Sequence, residues 1–277
     1  MTRFVPPRAW PAAALLVCLS AGVLDSQSTS SGTADGQAGI ATPSLRTWLG
    51  REPEIERYMR EAEIARIEAV PIGASRPMRA YFTAGGPVES AAWKTQPPGT
   101  HRGHPDNYKA EIAAYELDKL LNLRMVPPSV ETRVKGELGA LILWLSPTRM
   151  WKDVEKEPNP NTEAWNDQVI RMKMFDNLIC NRDRNMGNLL VDASWNLYLI
   201  DHNRAFITSK DLPVRMSRVC RELWDRIAGL DEPTLKEALG PYLTPKEIRA
   251  ILQRRDRMAR KIDEMKAAHG EQAVIVQ

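Results

Sequence analysis

Between Phe175 and Phe206, three of the acidic and amide residues, Asp183, Asn188 and Asp201, have a spacing that could carry out chemistry. Asp183 and Asn188 are five residues apart in a polar loop, and Asp201 directly follows an apolar run. Mg²⁺ takes oxygen ligands such as carboxylates and amide carbonyls, and it usually keeps several waters and binds substrate phosphates as well. An aspartate beside such a metal can orient a hydroxyl group and accept its proton. The residue types and their spacing therefore indicate divalent-cation and phosphate chemistry.

A buried helix and a short hairpin are expected to position these three side chains. Residues 165–180 are apolar over most of the helical circumference, which predicts a buried helix that ends just before the polar loop. Residues 189–191 and 197–200 then read as two small strands around a turn. The two acids and the amide would thus lie at the rims of rigid apolar elements. The alternative is that Asp183 and Asp201 are solvated loop acids and that Asn188 is a turn residue.

A strand-rich half precedes this unit, and turn signals separate its segments. The chain then breaks at Ser146-Pro147 and becomes helical, with two or three amphipathic helices in residues 216–267. The predicted fold class is α+β with two lobes, a small sheet-rich lobe over residues 51–145 and a larger helical lobe over residues 146–277. In the first lobe we predict helices over 52–60 and 108–121 and strands over 64–72, 78–83, 88–94, 129–133 and 138–145.

Lys94 and Glu111 provide an independent indication of phosphate chemistry in the first lobe. Lys94 ends the third predicted strand, and Glu111 lies one turn into the helix that follows. Protein kinases place a phosphate-holding lysine on the third strand and a glutamate that fixes it on the next helix. Glu116, on the same helix, could pair with Lys94 in place of Glu111. Alternatively, Lys94 and Glu111 could both be exposed surface residues.

The loop also follows a known catalytic pattern. Arg182-Asp183 with Asn188 matches the protein-kinase sequence R-D-x-x-x-x-N, and Asp201 lies where the aspartate of D-F-G would be. Three blocks resemble secretory-pathway protein kinases of the Golgi casein kinase type, and phosphatidylinositol 3- and 4-kinases and HipA-type kinases share a related Asp-Arg loop. The blocks are residues 110–118 with Val126-Pro127-Pro128, residues 175–184 and residues 199–206.

This resemblance implies a protein-kinase-like fold that uses ATP with Mg²⁺ or Mn²⁺. Asp183 would be the catalytic base, Asp201 the main metal ligand and Asn188 a second ligand, while Lys94 and Glu111 would form the phosphate-holding ion pair. The acceptor would be a hydroxyl group, most readily that of a protein Ser or Thr, with a lipid or small molecule as alternatives.

One departure from the protein-kinase pattern supports a different class of function. The chain has no Gly-x-Gly-x-x-Gly loop, and residues 71–75 offer a single glycine. The alternative is therefore a pseudokinase that binds nucleotide or acts as a scaffold.

Residues 1–24 are predicted to be a signal peptide. Arg3 and Arg8 provide positive charge, and Ala9 to Leu24 carry none. This run is shorter than the ~20 residues of a membrane-spanning helix but fits the apolar core of a signal. With cleavage after Gly22, the mature chain would be exported or in the secretory pathway and have no transmembrane span. An uncleaved cytoplasmic tail is the alternative.

Composition limits the remaining possibilities. Residues 25–50 are predicted to be a flexible linker, since 25–44 are mostly small or polar.

The charge balance of the whole chain excludes one class of protein. The chain has 38 Lys and Arg against 35 Asp and Glu. This near balance excludes a strongly polybasic protein, and we expect no nucleic-acid partner.

Three further features leave alternatives open. His101 and His104 could bind a metal, but no cysteine lies near, which favours a polar loop over residues 95–107. Cys180 and Cys220 could be buried thiols or a disulfide. The basic run from Arg249 to Lys261 is predicted to be the solvated face of a helix, with a lipid-surface role as the alternative.

Overall fold

A computed structural model describes residues 46–71, 78–101 and 104–277 of the chain. The predicted signal peptide (1–24) and most of the predicted linker (25–50) lie outside the described residues. The same is true of residues 72–77, which hold the single glycine of the segment expected near the phosphates. Among the described residues, no helix has both the length and the apolar character needed to cross a membrane.

The N-terminal half is built on a five-stranded antiparallel sheet with strand order β1-β2-β3-β7-β6. A tight turn joins β6 to β7, where Lys135 and Gly136 both have positive φ (52° and 84°), as the commonest two-residue hairpin turn requires. The elements are α1 (Glu52–Glu61), β1 (Ile64–Ala69), β2 (Met78–Phe82), β3 (Ser90–Lys94), β4 (Gly99–His101), β5 (His104–Asp106), α2 (Tyr108–Leu121), β6 (Ser129–Val134) and β7 (Glu137–Leu143).

Helix α2 covers one face of this sheet and carries Glu111 in its first turn. The side chain of Asn107 caps the helix by accepting a hydrogen bond from the Lys109 amide (2.8 Å), and Asn122 ends it in the left-handed conformation (φ 48°). Such caps satisfy backbone groups that a helix end leaves unpaired. Most residues of α2 are buried. Packing against its neighbours therefore holds the helix, and with it Glu111, in place.

The C-terminal half is mainly helical. Helix α4 is buried over its last two turns and ends at Cys180 in the left-handed conformation (φ 54°), after which the polar loop begins. The hairpin β9–β10 then returns the chain to this loop. The elements are β8 (Arg149–Met150), α3 (Trp151–Val154), α4 (Thr162–Ile179), β9 (Leu189–Val191), β10 (Leu197–Leu199), β11 (Val219–Cys220), α5 (Arg221–Ala228), α6 (Glu232–Leu239), α7 (Pro245–His269), α8 (Glu271–Val274) and β12 (Ile275–Val276).

This architecture confirms the predicted fold class, an α+β fold with a sheet-rich lobe followed by a helical lobe. The structure also settles one of the open alternatives, since Cys180 and Cys220 are both buried free thiols. The chain ends in a short strand, β12, which pairs in parallel with β11.

Three local expectations need correction. The loop over residues 95–107 is not irregular throughout, because β4 and β5 form a small hairpin within it. The linker ends before residue 50, since Trp48 is only 1% exposed and packs 5.9 Å from the Tyr198 ring. The basic run of α7 is not a uniformly solvated face, because Arg254 is fully buried and donates to the backbone oxygens of Leu178 and Ile207.

Candidate active site

Lys94 lies at the centre of a buried ionic cluster. Its Nζ donates to Glu111 Oε1 at 2.6 Å and to Asp201 Oδ1 at 2.7 Å. The lysine and glutamate side chains are only 8% and 3% exposed. The competing acid, Glu116, instead pairs with Lys119 at 3.1 Å on the helix surface. The structure thus brings together one residue from β3, one from α2 and one that follows β10.

Both members of the Lys94–Glu111 pair are held in their charged forms. Burial alone would lower the pKa of Lys94, but the carboxylates of Glu111 and Asp201 outweigh it and raise that pKa above its ordinary value. Burial would likewise raise the pKa of Glu111, but Lys94 and a hydrogen bond from His202 hold it well below its usual range. The pair is therefore a fixed ammonium–carboxylate unit at neutral pH.

Arg184 is the hub of a second buried network. Its guanidinium donates to the Asp176 carboxylate at 3.0 Å, and these two side chains are 6% and 0% exposed. It also donates to the backbone oxygens of Asn188 and Ile200, both at 2.8 Å, and it lies 2.9 Å from His202 Nε2. Because Ile200 and His202 flank the metal-binding candidate in sequence, Arg184 fixes the backbone on both sides of residue 201.

His202 joins the two networks. A guanidinium can only donate hydrogen bonds, so Nε2 of His202 accepts from Arg184 and the ring proton is on Nδ1. Nδ1 lies 3.5 Å from Glu111 Oε2, and the backbone N–H of His202 donates to the same oxygen at 3.0 Å. Burial lowers the pKa of His202 below its ordinary value. His202 therefore connects the two networks: its backbone N–H bonds to Glu111, and its neutral ring contacts Arg184.

Asp183 is held by its backbone and keeps a partly exposed carboxylate. Asn185 and Asn188 each donate a side-chain amide to the Asp183 carbonyl at 2.9 Å. The Asp183 carboxylate is 39% exposed, and one of its oxygens, Oδ2, accepts from Arg204 at 3.1 Å. The loop therefore presents the carboxyl group towards solvent from a fixed backbone.

Asn188 and Asp201 are the residues that could hold a divalent cation here. Since the Asn188 amide nitrogen is bonded to the carbonyl of Asp183, the atom of this side chain suited to a cation is its oxygen. Asp201 is 29% exposed and adopts a left-handed backbone (φ 63°), a conformation uncommon for residues other than glycine. A carboxylate and a carboxamide oxygen fit a hard cation that also takes phosphate oxygens.

Sequence reasoning missed several residues around this site. Asp106, in β5, accepts from Arg204 Nε at 2.9 Å and from the Asn203 amide at 3.0 Å. It thereby orients the arginine that contacts Asp183. Asp106 and Arg204 are 98 residues apart, and no local pattern indicates such a contact. The sequence Arg182-Asp183-Arg184 could have drawn attention to Arg184. Nothing in the sequence indicates that Arg184 pairs with Asp176.

The fold is similar to that of several solved structures, a Golgi casein kinase among them, at low sequence identity. The structure of hydra Fam20 with sugar matches with a TM-score of 0.64 and 18% identity, covering 82% of this chain and 92% of that one. The Golgi casein kinase with Mn and ADP bound matches with a TM-score of 0.63 and 15% identity, covering 82% and 79%. No protein-family model and no curated protein matches the sequence. The chain thus has a kinase-like fold of the Golgi casein kinase type.

Proposed function

We propose that this protein is an ATP-dependent phosphotransferase that moves the γ-phosphoryl group to a hydroxyl acceptor. The observation that carries the proposal is the bonding of Lys94 to both Glu111 and Asp201, because it joins a phosphate-holding pair to a candidate metal ligand. A lysine on the third strand and a glutamate on the next helix are required together in protein kinases. The solved Golgi casein kinase of the same fold binds Mn and ADP, which supports nucleotide and metal binding here.

Each residue of the site has a part in the proposed reaction. Lys94 binds and orients the nucleotide phosphates, and Glu111 holds Lys94 in place. Asp201 and Asn188 would hold Mg²⁺ or Mn²⁺, which when bound offsets the negative charge of the phosphates. The acceptor oxygen forms a bond to the γ-phosphorus, the bond to the β–γ bridging oxygen breaks, and ADP leaves with that electron pair. Asp183 orients the acceptor hydroxyl and accepts its proton.

The acceptor that we favour is a protein Ser or Thr side chain. This choice rests on the similarity to a casein kinase and is an argument by analogy of fold. A lipid or small-molecule hydroxyl is the alternative, and phosphoproteomic comparison of cells with and without the gene would separate the two.

A second candidate is a nucleotide-binding protein without transfer activity. The observation that favours it is the bond from Arg204 to Asp183 Oδ2, because this ion pair occupies one oxygen of the proposed base. For transfer to occur, the other carboxylate oxygen must receive the acceptor proton, or Arg204 must move.

Nucleotide binding followed by phosphoryl transfer distinguishes the two candidates. We expect Mg²⁺ and ATP together to stabilise the protein, by about 2.7 kcal/mol when ATP is at 100 times its dissociation constant. The Asp201→Asn variant should lose most of this effect, whereas Asp211→Asn, which changes an exposed acid, should keep it.

Radiolabelled phosphate from ATP should then appear on protein or lipid substrates. Binding without transfer to any of them would favour the second candidate. Absence of any effect of ATP on thermal stability would contradict both.

We also propose that the protein acts outside the cytoplasm. The proposal rests on the signal-like residues 1–24 and on the similarity to a Golgi kinase. N-terminal sequencing of the native protein should find a mature chain that begins near Val23, and an intact Met1 would contradict it.

A further inference from the structure

A groove of about 1060 Å³ lies between α7 and the segment of residues 210–217. The segment follows Asp201 in the chain, and its start is anchored by a buried side chain. Arg254 of α7, which is fully buried, donates to the backbone oxygens of Ile207 (2.9 Å) and Ser209 (2.7 Å). This wall of the groove is therefore tied to the helix that forms the opposite wall.

The groove has an excess of unpaired positive charge. Lys210 and Arg215 from the segment and Arg260 from α7 line it, and all three are exposed. Within the described parts of the chain, none of the three has an acidic partner at ion-pair distance, although many other surface cations do. The unpaired cations thus come from both walls and face one space.

The acids that line the groove already have partners. Asp211 pairs with Arg182 at 2.7 Å and with Arg257 at 3.5 Å. The two acids on α7 are paired within their own helix, Asp256 with Arg255 at 2.7 Å and Glu264 with Lys261 at 3.1 Å. Since these acids are paired, they do not neutralise the three free cations, and the groove is complementary to an anionic ligand.

The length of the groove indicates an extended ligand. The residues of α7 that line it run from Gln253 to His269. At a rise of 1.5 Å per residue this corresponds to about 24 Å. An extended chain covers about 3.3 Å per residue, so about seven residues would span the groove. A single phosphate group would fill only a small part of this length.

The N-terminal segment of the chain does not suit the groove by charge. Residues 1–45 contain only two acidic residues, Asp25 and Asp35, and these are offset by Arg3 and Arg8. An occupant that matches the three free cations must therefore come from another molecule.

We propose that this groove docks an extended acidic segment of a protein partner. Carboxylates of the partner would pair with Lys210, Arg215 and Arg260, while its backbone lies along the groove between α7 and residues 210–217. The proposal concerns an interaction surface, and it does not depend on whether the protein transfers phosphate.

The test is the binding of a fluorescein-labelled peptide of about eight residues with alternating Glu and Gly, followed by fluorescence anisotropy. We expect the dissociation constant to rise roughly tenfold in the triple variant Lys210→Gln/Arg215→Gln/Arg260→Gln, because three exposed ion pairs are lost. The matched control Arg57→Gln/Lys246→Gln/Arg249→Gln removes the same charge from exposed positions outside the groove, and it should change the constant less than twofold. Thermal unfolding of both triple variants checks that the fold is intact.

Three outcomes would overturn the proposal. One is equal weakening in both triple variants, which would show attraction to net charge alone. Another is displacement of the peptide by inorganic phosphate when the two carry a similar total concentration of negative charge. That result would indicate a site for isolated anions. The last is a peptide that fails to bind while vesicles of anionic phospholipid do bind, which would indicate a membrane surface.

Discussion

The two halves of the candidate site differ in their exposure to water. Lys94 and Glu111 are 8% and 3% exposed, and Arg184 and Asp176, which His202 links to them, are 6% and 0% exposed. Asp183, in contrast, is 39% exposed. The residues that hold the site together are thus buried ions, whereas the residue proposed to carry out proton transfer is near solvent.

This difference predicts that stability and activity respond to different substitutions. Breaking a buried ion pair by removing one partner costs about 3–5 kcal/mol, because the other charge is left without compensation. Exposed ion pairs contribute about 0–1 kcal/mol. Changes in the buried half should therefore destabilise the protein, and changes at Asp183 should remove activity from a folded protein.

The largest effect on stability is expected at Arg184. Arg184→Met leaves the Asp176 carboxylate buried without its partner and removes the donor to the Asn188 and Ile200 carbonyls. We expect the free energy of unfolding in urea to fall by about 3–5 kcal/mol.

Arg182→Met is the matched control for this substitution. Arg182 pairs with Asp211 at the surface, where the two side chains are 52% and 58% exposed, so the loss should stay below about 1 kcal/mol. Equal losses in the two variants would contradict the distinction between buried and exposed halves.

Glu111 provides the next test. Glu111→Gln keeps the side-chain shape but removes the charge that Lys94 and the His202 N–H face. Because Lys94 keeps Asp201 as a second anionic partner, the loss should be smaller than for a pair that is fully broken. Hydrogen bonds to charged groups contribute about 1.5–3 kcal/mol, and we expect a loss of this size in chemical denaturation. Glu116→Gln, in the partly exposed pair with Lys119, should cost about 1 kcal/mol or less. If Glu116→Gln destabilised the protein more than Glu111→Gln does, Glu111 would be the wrong acid to assign as the partner of Lys94.

A smaller effect is expected from the titration of His202. Burial lowers the pKa of His202 below its ordinary 6.5, so below about pH 6.5 the unfolded chain binds a proton that the folded chain resists. The stability is fully present above this pH and falls on acidification, by at most about 1.4 kcal/mol per pH unit for one proton.

His202→Asn should reduce this pH dependence in the metal-free protein, as measured by urea titrations between neutral and mildly acidic pH. His269→Asn, at the exposed end of α7, should leave it as in the wild type. An unchanged slope in His202→Asn would show that the buried network does not respond to protonation of this ring.

The smallest effect on stability is expected at Asp183 itself. Asp183→Asn removes one charge of a partly exposed pair with Arg204, and the free energy of unfolding should change by about 1 kcal/mol or less. A loss as large as that of Arg184→Met would mean that Asp183 is a structural residue of the loop.

Local signals made much of this fold predictable from the sequence. Helix α2 spans residues 108–121 as predicted, because its cap and its apolar spacing lie within a short stretch of chain. The positions of Lys94, Glu111 and Asp201 could be predicted for the same reason, since each lies at or near the end of a strand or helix with a clear pattern.

The contacts between distant segments were not predictable in the same way. The bond between Asp106 and Arg204 joins residues 98 positions apart, and the parallel pairing of β11 with β12 also joins distant segments. A buried arginine such as Arg254 reads as a surface residue in the sequence, because its partners are backbone oxygens that only the folded chain supplies. Tertiary packing decides these features, and spacing does not encode them.

The proposed role of Asp183 is tested most directly by the rate of phosphate transfer from radiolabelled ATP by Asp183→Asn, compared with the wild type at saturating Mg²⁺ and ATP. We expect the variant to keep the thermal stabilisation by Mg²⁺ and ATP but to lose transfer by a factor of about 10²–10⁴, the usual contribution of a general base. Transfer at the wild-type rate by a well-folded Asp183→Asn would contradict the proposed separation between a buried holding half and an exposed reactive half.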